Sequence, residues 1–228
     1  MIPGCLDFLK TCWDKDLDDS SLLPGSFTYE KYFSGRYLGD LARRVLVGVL
    51  HGLGRDVPPA LSSPDSLTTA QVSEIVASSL AGGQKALVLE NLDKEVCAIL
   101  IHICLLLSER AALMVAVPMA TFLNRMARPS TTIAVTGSLY RLHPTLASRL
   151  DHYTKILSRH PFSYRSLSPE AGTKLTIMIS GCAMTAAAKV PVLLLRSHRA
   201  CWSWNRASQG FILHLDSFGF SFVVLHKY

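Results

Sequence analysis

The chain has 228 residues, of which 49% are hydrophobic and 18% charged, so it can bury a sizeable core and is not a disordered polymer. Its formal net charge of +6 would suit a polyanionic partner such as a nucleotide phosphate or nucleic acid. The basic residues are scattered, however, without a Lys/Arg block, a zinc-type spacing or an aromatic RNA-binding signature, so no nucleic-acid partner is predicted.

The N-terminal residues and the cysteines bear on where the chain works. No basic segment followed by an apolar one stands at the start, so no secretory signal is predicted. The six cysteines, at positions 5, 12, 97, 104, 182 and 201, form no CxxC pair, which favours free thiols in a reducing compartment. The sequence therefore predicts a cytoplasmic location, with targeting to an organelle left open.

Two helices are predicted in the first third of the chain, after an acidic, turn-rich segment that ends at residues 23–25. Leucine and valine recur at intervals of three and four positions within residues 27–53, which indicates a buried helix face. This face comprises Leu38, Leu41, Val45 and Val49, with Leu46 and Leu50 widening it. The second helix begins in the stretch LTTAQVSEIVASSL, where either Thr68 or Thr69 is a suitable N-cap.

The most apolar segment, residues 96–107, is shorter than the ~20 residues that a membrane-spanning helix needs. A buried helix is therefore predicted rather than a membrane span. The surrounding region favours one or two buried helices with a break near Pro118, because proline removes a helix hydrogen bond. Cys97 and Cys104 lie seven positions apart and would share the buried face, and His102 is predicted to be a hydrogen-bonded core histidine.

From Thr131 onward the pattern changes to alternating strands and helices. Residues 131–135, TTIAV, predict a buried strand, residues 144–157 an amphipathic helix, and residues 162–167, FSYRSL, a second strand. Residues 174–189 predict a helix, or a strand followed by a helix. This order is typical of α/β layering, in which parallel strands are joined by a right-handed crossover.

The last part of the chain differs in composition and periodicity from what precedes it. Residues 190–228 hold two of the three tryptophans and almost no acidic residue, and they show neither a helical nor a two-residue period. We expect an appended tail that begins at Val190-Pro191, rather than a continuation of the layered core.

Two turns have the composition of phosphate-binding loops. In TTIAVTGSLYRLHP a predicted strand ends at Gly137-Ser138 and runs into a helix, where glycine permits close backbone approach and serine adds a hydroxyl donor. In SLSPEAGTK the turn carries Gly172, Thr173 and Lys174. Taken alone, the first turn is more often an ordinary connector, and Lys174 in the second is more often an exposed first-turn lysine. In a layered sheet, however, both would open at the carboxyl edge, where ligands bind.

Four blocks, in this order, resemble the C-terminal half of hexokinases, the ATP-dependent sugar kinases. The first, residues 14–46, resembles the family's sugar-side segment and is the most specific. It contains Asp-Lys, Ser-x-x-Pro-Gly, Glu-Lys and Ser-Gly-x-Tyr-Leu-Gly elements. The others are LTTAQVSEI at residues 67–75, SERAAL at residues 108–113, and the pair of turns. The resemblance covers roughly residues 10–188.

The resemblance implies a fold and a division of the chain. The fold is an α/β domain of the ribonuclease H-like, actin-like ATPase type, present in part, helix-rich and with a short mixed sheet. A divergent segment, residues 1–13, would precede the hexokinase-like large domain, residues 14–189, and residues 190–228 would form an unrelated tail.

The resemblance also implies an activity and its residues. The family transfers the γ-phosphoryl group of ATP, which carries Mg²⁺ with it, to the 6-hydroxyl of a hexose such as glucose in glycolysis. Glu30 matches a family glutamate that hydrogen-bonds sugar hydroxyls, a task for which an ionised carboxylate is well suited. The residues that match the nucleotide-contacting turns are Gly137, Ser138, Gly172, Thr173 and Lys174.

The chain departs from the family pattern at several of these positions. Phe27 stands where the family has a glutamine, and Thr136 stands where the first turn has an aspartate. In the second turn Ala171 and Thr173 stand at the two positions where the family has glycine, which restricts backbone approach. Pro118 follows Val117 where the family has an Ala-Gly pair.

The chain contains no match to the family's Asp-x-Gly-Gly-Thr phosphate loop or to its catalytic aspartate. No catalytic residue and no protein-held metal are therefore assigned, and we expect the isolated chain to turn over poorly. Two alternatives stay open. One is a non-catalytic sugar- or nucleotide-binding or regulatory fragment, including one that associates with a complete hexokinase. The other is a truncated product that does not fold independently.

Overall fold

The computed structural model describes residues 8–82 and 92–166 and, beyond these, the backbone of three strands within residues 201–226. The helices are α1 (Cys12–Asp19), α2 (Thr28–Lys31), α3 (Leu38–Gly52), α4 (Pro59–Ser62), α5 (Thr69–Leu80), α6 (Lys94–Met126), α7 (Ser138–Leu142) and α8 (Leu146–Leu157). The strands are β1 (Thr131–Thr136), β2 (Phe162–Ser166), β3 (Cys201–Asn205), β4 (Gly210–Leu215) and β5 (Phe220–His226).

Capping boxes begin two of these helices. The Thr11 hydroxyl accepts from the N–H of Asp14, whose carboxylate accepts from the N–H of Thr11, and α1 starts between them. Thr68 and Gln71 make the same reciprocal pair at α5, which confirms Thr68 as the N-cap. Two otherwise unpaired donors are satisfied at each start, which explains why the start of α5 could be predicted locally. The acidic, turn-rich composition of the first 25 residues did not predict α1.

The long helix α6 forms the centre of the core. It packs against α3 and α5 on one side and against α8 on another. The face of α3 is centred on Leu46 and Leu50, which are fully buried, whereas the predicted Val45 and Val49 are only half-buried. Other fully buried core residues are Leu41, Ile75, Leu100, Leu123 and Ile133.

The predicted break near Pro118 is wrong, because α6 continues through this residue for 33 residues in all. Proline has no N–H and leaves the carbonyl of Met114, four positions earlier, without its helical donor. The Tyr29 hydroxyl, which comes from α2, donates to that carbonyl instead. The helix ends at Ala127, whose backbone is left-handed with a φ of 48°.

Of the predictions made for side chains on α6, some are confirmed and one is wrong. Cys97 and Cys104 are buried as expected, and burial raises the pKa of the Cys104 thiol to about 12. His102 is exposed, so its assignment to the core is wrong: it lies on the solvent-facing side of the helix. By length and composition alone α6 could cross a membrane, but half of its most apolar window is buried within the domain. The cytoplasmic location stays a prediction.

The sheet has the order β2-β1-β5-β4-β3. β1 and β2 are parallel, with Ile133 opposite Tyr164, and α7 and α8 form the connection between them, as the sequence predicted. β5 is antiparallel to β1, so the sheet is mixed.

The sequence predicts that residues 190–228 are an appended tail rather than a continuation of the layered core. The structure differs, because β3, β4 and β5 come from this segment and extend the sheet. In the pairing of β5 with β1, for example, Ile133 lies opposite Val224, a partner far along the chain that a local period cannot report. The predicted boundary near residue 190 stays a prediction, and the element predicted at residues 174–189 lies outside the described residues.

Candidate functional site

Glu30 is a buried carboxylate without an internal donor. It lies on α2, a helix of four residues, and is 5% exposed. No described residue donates a hydrogen bond to its carboxylate, and burial raises its pKa although the charge of Lys31 acts in the opposite direction. Burial of an ionisable group without hydrogen bonds is unfavourable. A ligand that offers hydroxyl donors would relieve this cost.

Lys31, the next residue, is fully engaged on the opposite side. Its ammonium lies 2.5 Å from a carboxylate oxygen of Asp18, 2.8 Å from the Ser21 hydroxyl and 2.7 Å from the Leu23 carbonyl. Asp18 also accepts from the N–H of Gly25 at 3.1 Å. The lysine of the Glu-Lys element therefore fastens the loop before α2 to α1, a role that sequence reasoning missed because it read this region only as acidic and turn-rich.

Tyr29, the residue before Glu30, is fastened to α6. Its hydroxyl donates to the Met114 carbonyl, and its ring packs edge-to-face on Phe33 with the centroids 5.1 Å apart. Burial raises the pKa of Tyr29, which keeps the hydroxyl protonated as a donor. Glu30 thus lies between two anchored neighbours.

Phe27 begins α2 in a left-handed conformation, with φ 53° and ψ 30°. A bulky residue adopts this region only when the surrounding structure imposes it. Phe27 therefore carries backbone strain three residues before Glu30.

The predicted strand-turn-helix at Gly137-Ser138 is present. β1 ends at Thr136, Gly137 has φ 137° and ψ 143°, and α7 begins at Ser138. Only glycine adopts this backbone conformation readily, so the residue is required by the turn itself. Ser138 is exposed, and the first N–H groups of α7 have no partners within the helix.

The segment after α2 approaches this turn. The N–H of Ser34 donates to the Glu30 carbonyl at 2.9 Å, and a Cβ placed on Gly35 would lie 3.7 Å from the Cβ of Leu139 in α7. The sugar-side segment and the Gly137 turn are therefore neighbours. Ser34 is buried, and its hydroxyl has no hydrogen-bond partner among the described residues.

His143, directly after α7, anchors that turn to α6. Its Nε2 lies 3.0 Å from the Ser108 hydroxyl, which in turn donates to the Cys104 carbonyl at 2.6 Å. The N–H of Thr145 donates to Nδ1 at 3.4 Å, so the proton is assigned to Nε2. Burial, with a further contribution from Arg149, lowers the pKa of His143 to about 4. The imidazole is neutral and donates to Ser108, so this buried pair is an anchor rather than a nucleophile with its base.

The blocks that carry the family resemblance meet in space. Arg110 of SERAAL forms a two-pronged ion pair with Asp14, at 2.9 and 2.8 Å, and stacks on the Tyr32 ring at 5.2 Å. The N–H of Gly39 donates to the Thr69 hydroxyl at 3.1 Å, which joins the first block to LTTAQVSEI. Gly172, Thr173 and Lys174 lie outside the described residues, so their position relative to Gly137 stays a prediction.

The fold and these contacts define an α/β domain of the actin-like ATPase type that carries a buried carboxylate beside a strand-turn-helix. A solved hexokinase from Schistosoma mansoni, complexed with glucose, superposes with a TM-score of 0.61 at 28% identity, over 71% of this chain and 39% of that one. A second hexokinase crystal structure superposes with a TM-score of 0.62 at 24% identity, which supports the fold alone.

The sequence matches the family described as Hexokinase over residues 3–188. Rat hexokinase-1 is 32% identical over 212 residues, which is 86% of this chain and 22% of that protein. Hexokinase type 1 of Drosophila melanogaster is 30% identical over 170 residues, which is 71% of this chain and 37% of that protein. The chain belongs to the hexokinase family, and it spans less than two-fifths of the length of these relatives.

Proposed function

We propose that this chain supplies the hexose-binding carboxylate and a phosphate-side turn of an ATP-dependent hexokinase. The observation that carries the proposal is Glu30, buried and without a donor from the described residues. The family reaction is transfer of the γ-phosphoryl group of ATP to the 6-hydroxyl of a hexose. The glucose complex of the Schistosoma relative supports a hexose as the ligand class.

Glu30 would accept hydrogen bonds from sugar hydroxyls in its ionised form. Such charge-assisted bonds are shorter and stronger than neutral ones. They would also lower the pKa that burial has raised, because they stabilise the charged carboxylate. Hexose affinity should therefore weaken as the pH falls and Glu30 becomes protonated.

Gly137 and Ser138 would contact the phosphates of ATP, which brings Mg²⁺ with it. The backbone at Gly137 permits close approach, and the exposed Ser138 adds a hydroxyl to the unpaired N–H groups of α7. Gly172, Thr173 and Lys174 are proposed for the adenosine side. The approach of Gly35 to Leu139 supports a sugar side and a phosphate side that adjoin each other.

Phosphoryl transfer also needs a general base and further stabilisation of the developing charge. The resemblance assigns no residue of this chain to either task, so binding without efficient turnover is expected. A non-catalytic binding or regulatory role, including association with a complete hexokinase, is the second candidate. It is favoured because no residue of this chain matches the family's catalytic aspartate.

Thermal unfolding of the whole chain with and without ligand tests the proposal. Excess D-glucose or Mg-ATP should raise the unfolding midpoint, because a ligand at 100 times its Kd stabilises the folded state by ~2.7 kcal/mol. L-glucose is the matched control and should have no effect. A cooperative transition that ignores D-glucose would contradict the hexose site, and a coupled phosphorylation assay separates the two candidates.

Exchanging Glu30 for glutamine should weaken D-glucose binding by about 10-fold to 100-fold, since a charged acceptor is lost while the shape is kept. The same variant should be more stable than the parent at neutral pH. The reason is that burial raises the pKa of Glu30 and so favours the protonated folded form. This stabilisation is fully present below the pKa of the unfolded state and is lost as the pH rises through the folded value. The difference in stability should close below about pH 4.

Calorimetry and urea unfolding measure the two effects. Glu74→Gln is the matched control, because Glu74 is an exposed glutamate on α5 and loses the same charge. A Glu30→Gln variant that binds glucose like the parent would remove Glu30 from the site.

A further inference from the structure

Pro118 creates an acceptor at a defined place on α6. Residue 118 has no N–H, so the carbonyl of Met114 lacks its partner within the helix. Among the described residues, the Tyr29 hydroxyl is the donor recorded at this carbonyl. The bond joins residues 85 positions apart and fastens α2 to the middle of the core helix.

The helix that donates this bond, α2, is too short to be stable by itself. A turn of four residues gains little from its own hydrogen bonds, so its orientation depends on tertiary contacts. Three consecutive residues provide the arrangement: Tyr29 contacts α6, Lys31 contacts Asp18 of α1, and Glu30 between them has no donor from the described residues. The two outer residues fix the direction of the carboxylate that the middle one presents.

We propose that Tyr29 is a positioning residue for hexose binding, acting through Glu30, and that Pro118 supplies its acceptor by leaving the Met114 carbonyl free. This inference rests on the proposed function. Tyr29 does not touch the sugar. It holds the backbone of α2 at the angle at which Glu30 faces the ligand, so its loss should weaken hexose binding and leave nucleotide binding unchanged.

Three variants of the full chain, Tyr29→Phe, Pro118→Ala and the double variant, separate positioning from simple stabilisation. Tyr29→Phe leaves a carbonyl unpaired and should lower both the unfolding midpoint and the affinity for D-glucose, the latter by about 10-fold, with the Kd for Mg-ATP unchanged. Pro118→Ala restores an N–H that can donate to Met114. The double variant should therefore regain stability while its glucose affinity stays low.

Tyr153→Phe is the matched control. The Tyr153 hydroxyl donates to Glu109 on α6, so the variant also removes a tyrosine bond to this helix, but one at a distance in sequence from α2. Its glucose affinity should equal that of the parent. A double variant that regains glucose affinity along with stability, or a Tyr29→Phe variant with unchanged affinity, would overturn the proposal.

Hydrogen exchange measured by mass spectrometry decides the matter without a ligand. The amides of residues 28–34 should exchange roughly 10-fold faster in both variants that lack the Tyr29 hydroxyl, and at the parental rate in Tyr153→Phe. If the parent binds no glucose, the proposed function fails. If the exchange rates of these amides are unchanged in Tyr29→Phe, the anchoring of α2 by Tyr29 is overturned, whatever the result of the glucose-binding measurement.

Discussion

Replacing Asp18 by alanine is expected to lower the free energy of unfolding by about 3–5 kcal/mol, because it leaves a buried lysine without its counter-charge. The Lys31 side chain is 3% exposed, and its ammonium lies 2.5 Å from Asp18. The hydroxyl of Ser21 and the carbonyl of Leu23 would stay as partners, but neither carries a charge. Urea unfolding followed by tryptophan fluorescence measures the loss.

A double-mutant cycle isolates the ion pair from the residues themselves. Lys31→Met also destabilises, since Asp18 then keeps only the N–H of Gly25 and the more distant Lys10, at 3.7 Å. The variant with both changes should be more stable than Asp18→Ala alone, because no buried charge is left unpaired. Asp19→Ala is the control: Asp19 is exposed on the same helix and should cost less than about 0.5 kcal/mol.

The pH dependence gives a second test of the pair. Burial by itself would raise the pKa of Asp18, but the hydrogen bond and charge of Lys31, with the N–H of Gly25, outweigh it and lower the pKa. A lowered pKa contributes stability above the pKa of the unfolded state, about 4, and this contribution is lost as the pH falls through the folded value. The gap between the parent and Asp18→Ala should therefore narrow in acid. A variant within 1 kcal/mol of the parent at neutral pH would contradict the importance of the pair.

Local features of the sequence predicted the elements that local interactions fix. The cap at Thr68 is satisfied by Gln71 only three positions away, so the start of α5 is visible in the sequence. The strand that ends before Gly137 and the parallel partner at residues 162–166 follow from composition and order in the same way. Each of these predictions needs information from a short window of the chain.

The errors come from partners distant in the sequence. Pro118 predicts a helix break, because the local sequence does not show that the Tyr29 hydroxyl, 85 positions before Met114, takes over the freed Met114 carbonyl. The pairing of β5 with β1 is of the same kind. His102 failed for another reason: α6 is apolar around much of its circumference, so its pattern does not reveal which side faces solvent.

The same contrast between local and distant contacts applies to the candidate site. Glu30 could be named from the sequence because the family resemblance identifies the position that contacts sugar. The residues that hold it in place could not, since Asp18 and Tyr29 act through contacts with α1 and α6 that no motif describes. The sequence therefore predicted the candidate residue itself and missed the contacts that hold α2 in place.

Replacing Gly39 by alanine should cost on the order of 3 kcal/mol, at the upper end for overpacking by a single methyl group. A Cβ at this position would lie 2.3 Å from the Leu67 carbonyl oxygen, 2.6 Å from the carbonyl carbon of Thr68 and 2.7 Å from the nitrogen of Thr69. All three are backbone atoms at the capped start of α5, so they cannot move without disturbing the cap.

The same substitution at Gly52 should raise the free energy of unfolding rather than lower it. Gly52 ends the same helix, and a Cβ there would meet nothing within 4 Å. Alanine should stabilise this site by up to about 1 kcal/mol, because glycine is the poorer helix former. Thermal and urea unfolding of the two variants give the comparison, and a Gly39→Ala protein as stable as the parent would refute the packing argument.

If alanine destabilises the protein at position 39 and stabilises it at position 52, the result also explains the role of the Tyr-Leu-Gly element. The resemblance placed this element on the sugar side, yet Gly39 is where α3 passes against the start of α5, with its N–H bonded to Thr69. Its glycine is required by the crossing of two backbones. The element therefore packs α3, the helix that follows the Glu30 segment, against the start of α5.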